Sequence, residues 1–319
     1  MRVLVTGATG FVGSRLVPVL REAGHDVRVL TRDSDRYDSH ANVDVYEGDL
    51  LEPGSFDAAL EGTDAAYYLV HSMQAGDDFE ERDRRAAETF ADAASEAGVD
   101  RVIYLGGLGE EGEDLSAHLE SRREVENLLA EGEYDLTSLR AAIVVGHGSV
   151  SFEMVRQLSS RLPLMITPRW VQNECQPIAI DDVLAYLVGI LDHPETAGET
   201  YEIGGPEVLT YGTIMKRTAG LMDRITPLII PVPVLTPQLS SYWVGLVTDV
   251  DWRVARPLID GLRNAVVVND DSIREYLPFE RTPFDEAVEQ ALAEHRAERS
   301  GQPVGTEPAR VIERVRSRA

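Results

Sequence analysis

Residues 3–13 of the chain read Val3-Leu4-Val5-Thr6-Gly7-Ala8-Thr9-Gly10-Phe11-Val12-Gly13, and a pattern typical of a helix continues from Phe11 to Ala23. An apolar strand that runs into a turn with this glycine spacing is typical of a nucleotide-binding unit. Gly7 permits the tight turn, Gly10 lets the backbone approach a pyrophosphate, and Gly13 lets helix and strand pack closely. The phosphates are expected at the positive end of the helix. The residues expected to contact the ligand are Thr6, Gly7, Thr9, Gly10, Phe11, Val12 and Gly13.

Short apolar runs alternate with segments of helical spacing throughout the first half of the chain. The strand-like runs are 3–5, 27–30, 43–46, 65–70, 102–105 and 136–139, and the helix-like segments are 11–23, 54–60, 79–97 and 116–129. This alternation predicts an α/β fold with a doubly wound parallel sheet of the Rossmann type.

The second half of the chain is richer in proline and less regular. Strand-like segments at 177–180 and 199–203 enclose a helix that opens on Asp181 and Asp182, and both segments are expected to rejoin the sheet. The predicted domains are a nucleotide-binding domain over 1–147 plus 176–205 and a smaller, irregular, α-rich lobe over 148–175 plus 206–295. The segment 296–319, with six arginines against three glutamates, is predicted to be a mobile or partner-docked basic tail.

The end of the second predicted strand bears on the choice between NAD(H) and NADP(H). An acidic side chain there binds the ribose hydroxyls, whereas an arginine accommodates a 2′-phosphate. The sequence has Thr31 where an NAD-binding chain usually has aspartate, and Arg32 follows. This favours NADP(H), although Asp33 lies close by and a purely surface role for Arg32 stays open.

The charge of the chain is strongly acidic. There are 55 Asp and Glu against 30 Lys and Arg, for a net charge of -25, and Lys216 is the single lysine. Nucleic acid is therefore excluded as a partner on electrostatic grounds. Self-repulsion of this size is screened in molar salt, where the Debye length is about 3 Å. We interpret the composition as that of a halophilic protein, with an ordinary acidic protein as the alternative.

Cysteine content and hydropathy favour a cytoplasmic location. Cys175 is the single cysteine, which rules out an internal disulfide, and no leader pattern precedes the first strand. Residues 225–248 carry no charge, but four prolines argue against a transmembrane helix. A buried loop is expected there, and contact with a membrane surface or a protein partner is the alternative. The spacing of histidines and cysteine predicts no metal site.

Residues 1–222 resemble the extended or atypical short-chain dehydrogenase/reductases, including NmrA-like and epimerase-like members. The resemblance is carried by the glycine turn, by Gly48-Asp49-Leu50, by Leu139-Arg140, by Gln176-Pro177-Ile178-Ala179-Ile180-Asp181-Asp182-Val183 and by Tyr201-Glu202-Ile203-Gly204-Gly205-Pro206. It implies that Asp49 and Leu50 lie by the adenine, and that Leu69, Val70 and His71 pass the ribose and nicotinamide.

The catalytic tyrosine and the lysine four residues after it, which that family normally uses, are not both present. The single lysine, Lys216, has Gly212 four residues before it. By the local pattern, His118 takes the tyrosine position and Arg122 the lysine position, on one face of a helix. His118 is a candidate general acid and Arg122 a candidate ribose or phosphate ligand, while a plain surface role for His118 stays open. His71 follows the fourth strand and is a further candidate catalytic residue.

Three functions fit these observations. The first is an NADP(H)-dependent oxidoreductase that transfers hydride to a small, apolar carbonyl, enone or quinone. The second is a non-catalytic NADP(H)-binding sensor or scaffold, similar to NmrA-like regulators or to the nucleotide-binding accessory subunit of respiratory complex I. The third is a sugar-nucleotide epimerase or dehydratase, which ranks last because its tyrosine is missing.

Overall fold

The computed structural model describes residues 1–37, 42–72, 78–109, 116–162, 164–232, 259, 261–262 and 264–316. The strands are β1 (Arg2–Thr6), β2 (Asp26–Thr31), β3 (Val43–Glu47), β4 (Ala65–Tyr68), β5 (Arg101–Gly107), β6 (Asp135–Ala141), β7 (Val144–Val145), β8 (Leu164–Pro168), β9 (Glu174–Cys175), β10 (Ile178–Ala179), β11 (Thr200–Ile203), β12 (Leu209–Thr210) and β13 (Leu228–Val232). The helices are α1 (Gly13–Glu22), α2 (Asp57–Leu60), α3 (Phe79–Glu96), α4 (Ala117–Leu129), α5 (Val150–Arg161), α6 (Ile180–Gly189), α7 (Tyr211–Leu221), α8 (Phe284–Arg299) and α9 (Pro308–Arg316).

The central sheet has seven parallel strands in the order β11-β6-β5-β4-β1-β2-β3. The predicted doubly wound parallel sheet is thereby confirmed. The strand order reverses between β1 and β4, and in open α/β sheets the carboxyl ends of the strands at such a point form a binding crevice. The glycine turn follows β1 and therefore opens onto this crevice.

Helices cover both faces of the sheet. On one face, α1, α6 and α9 contact one another, and on the other face α3 packs on α2 and α4. Strands such as Val3-Leu4-Val5 are buried on both sides, because alternate side chains enter the two separate apolar cores. The central strands are therefore packed on both faces up to the edge at which the crevice lies.

A third apolar core lies in the lobe over the carboxyl edge of the sheet. Helix α7 packs on α5 and α8, and β8 pairs with β13 in parallel. Phe152, Ile214 and Val288 are among the buried side chains that join the three helices. This core supplies the wall that faces the crevice.

One of the two late strands does not behave as expected. Segment 199–203 rejoins the sheet as β11, beside β6. Segment 177–180 does not, because its strand β10 has only two residues and pairs with β7. Pro177 lacks an amide donor and α6 begins at Ile180, so the segment is too short to extend the sheet.

The carboxyl-terminal segment also differs from the prediction of a mobile basic tail. Residues 308–316 form α9, whose Val311 and Ile312 are buried against α1 and α6. Arg310 and Arg314 reach the aspartates that open α6, Asp181 at 3.3 Å and Asp182 at 2.5 Å. The excess of arginine suggested a solvated tail. Two of these arginines instead pair with buried carboxylates of α6, and the helix packs through its apolar face.

The apolar stretch 225–248 is described only over 225–232, and 233–248 lies outside the described residues. Within the described part, β13 pairs with β8, while Ile225 and Leu228 are largely exposed. A contact surface here stays a prediction. Among the described residues, none of the helices combines the length and the apolar character needed to cross a membrane.

Candidate active site at the carboxyl edge of the sheet

In the glycine turn, a side chain in place of Gly7 or Gly13 would collide with the backbone nearby. Gly7 adopts φ +67°, and a Cβ there would lie 2.6 Å from the carbonyl oxygen of Leu69 at the end of β4. A Cβ on Gly13 would lie 2.3 Å from the Gly7 oxygen. The Gly10 amide donates to the Gly7 carbonyl at 2.9 Å and closes the turn. Gly7 and Gly13 are therefore required for close packing, while Gly10 is exposed to the crevice.

The start of α1 presents backbone amides to that crevice. The Ser14 amide donates to the Gly10 carbonyl, whereas the amides of Phe11 and Val12 donate to no carbonyl among the described residues. No side chain caps this end of the helix. Unpaired amides together with the helix dipole favour a bound anion. The turn therefore fits a pyrophosphate.

The side chains around the turn hold it in place. The buried Thr6 hydroxyl donates to the Tyr67 carbonyl at 2.9 Å and accepts from the Leu69 amide, so it joins β1 to β4 and does not face the crevice. Arg15 lies over the Phe11 ring and donates to the His147 carbonyl at 2.7 Å. Thr6 therefore supports the turn rather than supplying a side-chain contact to the ligand.

The loop after β2 places Arg32 on the surface, directly after the buried Thr31. The Thr31 hydroxyl accepts from the Asp33 amide at 3.3 Å. Glu47 accepts from the Ser34 amide and hydroxyl, and these bonds lower the pKa of Glu47. The Glu47 carboxylate is thus hydrogen-bonded to Ser34, and contact of the exposed Arg32 with a 2′-phosphate stays a prediction.

Asp49 and Leu50 form the next rim of the crevice. The Asp49 carboxylate accepts from the Leu51 amide at 2.9 Å, and Ser55 bridges the Asp49 backbone. Leu50 is buried in the sheet core. The loop is therefore pre-formed, and adenine contact by Asp49 and Leu50 stays a prediction.

The structure brings His71 and Arg122 together beyond the ends of β4 and β5. Leu69 and Val70 are half-buried and lead to His71, which faces open space on one side. Loss of solvent around the ring is the larger cause that lowers the pKa of His71 well below its ordinary value, and the positive charge of Arg122 is the smaller one. The imidazole is therefore neutral at physiological pH, so it can form hydrogen bonds but carries no extra proton to donate as an acid.

A buried carboxyl, Asp83, lies close to this pair and is not among the predicted site residues. It lies on α3 and accepts from the Ser72 amide at 2.7 Å. Burial raises the pKa of Asp83, and the Arg122 charge and the Ser72 bond oppose that rise. Asp83 fixes the segment after His71 and balances Arg122. Its helix is rich in charges, so the sequence did not single it out.

Arg122 lies on α4 against the end of β5. A Cβ on Gly107 would lie 3.9 Å from the Arg122 Cγ, an ordinary contact distance, so the arginine stem lies next to the end of β5. The buried Tyr104 hydroxyl donates to the Arg122 carbonyl at 3.1 Å. His118 belongs to the first turn of the same helix, and its side chain lies outside the described residues.

An apolar cavity of about 110 Å³ adjoins this site. It shares Gly107 and Leu119 with the surroundings of Arg122 and extends into the lobe. Its walls are Gly107, Leu108, Leu119, Ala141, Ala142, Ile143, Ser151, Met154, Val155, Leu158, Trp170, Tyr211, Met215, Ile259, Gly261, Leu262 and Val266. Such a lining favours an apolar group with few polar contacts.

The segment 166–176 contributes Trp170 to the cavity wall. Asn173 instead donates to the Leu262 carbonyl at 3.0 Å and ties the loop to the lobe. Burial raises the pKa of the Cys175 thiol to about 12, with the Tyr211 hydroxyl as a partner that opposes the rise. Cys175 is therefore an inert core residue and not a nucleophile.

Comparison with known proteins agrees with this geometry. A family profile described as NAD(P)H-binding matches residues 7–166, half of the chain. The (4-alkanoyl-5-oxo-2,5-dihydrofuran-3-yl)methyl phosphate reductase of Streptomyces griseus is 29% identical over 217 residues, which are 65% of this chain and 69% of that protein. The mitochondrial NADH dehydrogenase (ubiquinone) 1 alpha subcomplex subunit 9 of Dictyostelium discoideum is 28% identical over 239 residues, which are 72% of this chain and 66% of that protein.

Some other alignments are much shorter, and one spans only 24% of the length of its curated relative. Among solved structures, the triphenylmethane reductase of Citrobacter sp. in complex with NADP(H) is similar with a TM-score of 0.71 at 17% identity. That similarity covers 91% of this chain and 100% of the reductase, and it shows a shared fold. The chain therefore belongs to the NAD(P)H-binding family, and the matched residues 7–166 run from the glycine turn into the lobe.

Proposed function

We propose that the protein is an NADPH-dependent reductase of the atypical short-chain type that acts on a carbonyl, enone or quinone with a small apolar substituent. The observation that carries the proposal is the apolar cavity beside Arg122, at the sheet edge onto which the glycine turn opens. An aliphatic and aromatic lining excludes water and does not pair with a sugar nucleotide. The epimerase alternative therefore has the least support.

NADPH, when bound, supplies a hydride to the acceptor and leaves as NADP⁺. The amides of Phe11 and Val12 would hold the pyrophosphate and Arg32 the 2′-phosphate. Arg122 would orient the ribose or the acceptor oxygen as a fixed cation, because a guanidinium does not donate its proton at neutral pH. These roles are supported by the unpaired amides at the start of α1 and by the exposure of Arg32.

The acceptor also needs one proton after hydride arrival. His71 is neutral and Tyr104 is buried with a raised pKa, so neither is suited to donate it. We assign this role to His118, one helical turn before Arg122 on α4, with water as the remaining source. His118→Ala is expected to lower kcat by about 100-fold while the Kd for NADPH stays unchanged.

The decisive assay follows NADPH oxidation with a panel of apolar aldehydes, enones and quinones. Val155→Phe places a ring in the cavity and is expected to raise KM at least 10-fold, whereas Val304→Phe at an exposed position serves as the matched control. Turnover that is insensitive to Val155→Phe would contradict the assignment of the cavity. No turnover across the panel would contradict the reductase itself.

The second candidate function is a non-catalytic NADPH-binding subunit or sensor. It is favoured by the missing tyrosine and lysine pair and by the resemblance to a complex I subunit. Tight NADPH binding without turnover, together with a partner that covers exposed Ile225 and Leu228, is the result expected for this function.

A further inference from the structure

Two histidines and a glutamate from three separate segments meet beside the lobe. His147 follows β7, Glu153 lies in the first turn of α5, and His295 lies on α8. One ligand atom from each lies within 4.8 Å of the other two. The spacing in sequence gave no sign of this group, because the two histidines lie in different halves of the chain and only the fold brings them together.

Three polar atoms of this group make no hydrogen bond to any residue that the structure describes. His147 Nδ1, Glu153 Oε1 and His295 Nδ1 are each shielded from solvent, and His147 Nδ1 lies 3.7 Å from Glu153 Oε1, which is too far for a hydrogen bond. A buried polar atom without a partner costs free energy, and three such atoms facing one another are rare in a folded protein. The group therefore has the features of a site whose ligand completes it.

The outward atoms of two of these residues are held by other side chains. His147 Nε2 lies 3.1 Å from a Glu298 oxygen, and Glu153 Oε2 accepts from Arg156 Nη2 at 2.7 Å. A carboxylate on Nε2 places that ring proton outward and leaves Nδ1 with its lone pair inward. Metal-binding histidines are oriented in this way, by a carboxylate on the ring nitrogen away from the ion.

We propose that His147, Glu153 and His295 bind one divalent transition-metal ion, with Zn²⁺ as the best match to two imidazoles and one carboxylate. In a tetrahedral zinc site neighbouring ligand atoms are about 3.3 Å apart. Small side-chain rotations that move each ligand atom by about 1 Å or less therefore bring the three atoms to this spacing. Water supplies the fourth ligand.

Such an ion would join the lobe to the nucleotide turn. Arg15 donates to the His147 carbonyl and to the Phe11 carbonyl, and it also pairs with Glu294 on α8. An ion on His147 and His295 therefore fixes α8 against the segment that packs on Phe11. It would take no direct part in the proposed hydride transfer, because none of the three ligands is among the residues that line the apolar cavity.

The test uses the full chain, stripped of metal by chelator, and Zn²⁺ alone as the probe. Calorimetric titration is expected to show one Zn²⁺ per chain with a micromolar or lower Kd, and saturation is expected to raise Tm by about 3 to 6 °C. Co²⁺ in place of Zn²⁺ should give the visible absorption of a low-coordinate site.

Variants of the ligands distinguish Zn²⁺ binding at this site from nonspecific Zn²⁺ binding to the acidic surface. His295→Asn and Glu153→Gln are expected to weaken Zn²⁺ binding at least 100-fold, and Glu298→Gln about 10-fold. His193→Ala, remote from the triad, is the matched control and should bind Zn²⁺ normally. Circular dichroism confirms folding of each variant without metal. Absence of saturable binding by the parent chain, or unchanged binding by both His295→Asn and Glu153→Gln, would overturn the proposal.

Discussion

Replacing Gly13 by alanine isolates the contribution of the nucleotide turn. The new Cβ would lie 2.3 Å from the Gly7 carbonyl oxygen and 2.9 Å from the Ala8 Cα. The first distance is about 1 Å shorter than the roughly 3.3 Å at which carbon and oxygen come into close contact. The Gly7 oxygen also accepts the 2.9 Å bond that closes the turn, so the turn must shift. Overpacking of this kind costs about 1 to 3 kcal/mol of stability.

A shift of about 1 Å in groups that position a ligand typically costs about 100-fold. We therefore expect the Kd of NADPH to rise at least 100-fold in Gly13→Ala, which corresponds to about 2.8 kcal/mol. Quenching of protein fluorescence by NADPH measures this Kd directly, and the Tm reports the change in stability.

Gly220→Ala is the matched control, because a Cβ there meets nothing within 4 Å on helix α7. It is expected to leave the Kd unchanged and to stabilise the chain by up to about 1 kcal/mol. If Gly13→Ala bound NADPH as the parent chain does, with the Gly220→Ala control behaving normally, the placement of the phosphates at this turn would be refuted.

Four further results are expected. Arg32→Gln should weaken NADPH binding at least 10-fold and leave NADH binding nearly unchanged, and equal loss of both would contradict a 2′-phosphate contact. Ile312→Ala should destabilise the chain by about 2 kcal/mol or more, seen as a lower Tm, because this side chain is buried in α9; an unchanged Tm would mean that α9 does not pack as described. The Cys175 thiol, with its pKa raised to about 12, should resist alkylation at neutral pH and react once the chain is unfolded, while rapid labelling of the native chain would contradict its burial. Thermal stability should rise with salt up to the molar range, and a maximum in dilute buffer would refute the halophilic interpretation.

The local signals in the sequence were sufficient for the turn and the sheet. The glycine spacing after Val3-Leu4-Val5 and the alternation of apolar runs with helical segments both depend on neighbouring residues, and both predict the observed fold. The location of His71 and Arg122 at the carboxyl edge of the sheet was also predictable, because each follows or faces the end of a strand, while their roles stay a prediction.

Long-range contacts were not predictable in the same way. The cavity wall joins Gly107 and Leu119 to Ile259 and Leu262, which are distant in sequence and meet only through packing of the lobe. The basic segment 296–319 looked unstructured because its arginines were counted as free charges, yet Arg314 pairs with the fully buried Asp182. Partners of this kind are set by tertiary structure and leave no periodic signal in the chain.

The central claim is that NADPH lies across the carboxyl edge of the sheet, from the glycine turn to the apolar cavity. A crystal structure of the full chain with NADPH tests it most directly. We expect pyrophosphate oxygens within hydrogen-bond distance of the Phe11 and Val12 amides, and one face of the nicotinamide open to the cavity near Gly107. NADPH bound elsewhere, or a nicotinamide turned away from Arg122 and the cavity, would contradict it.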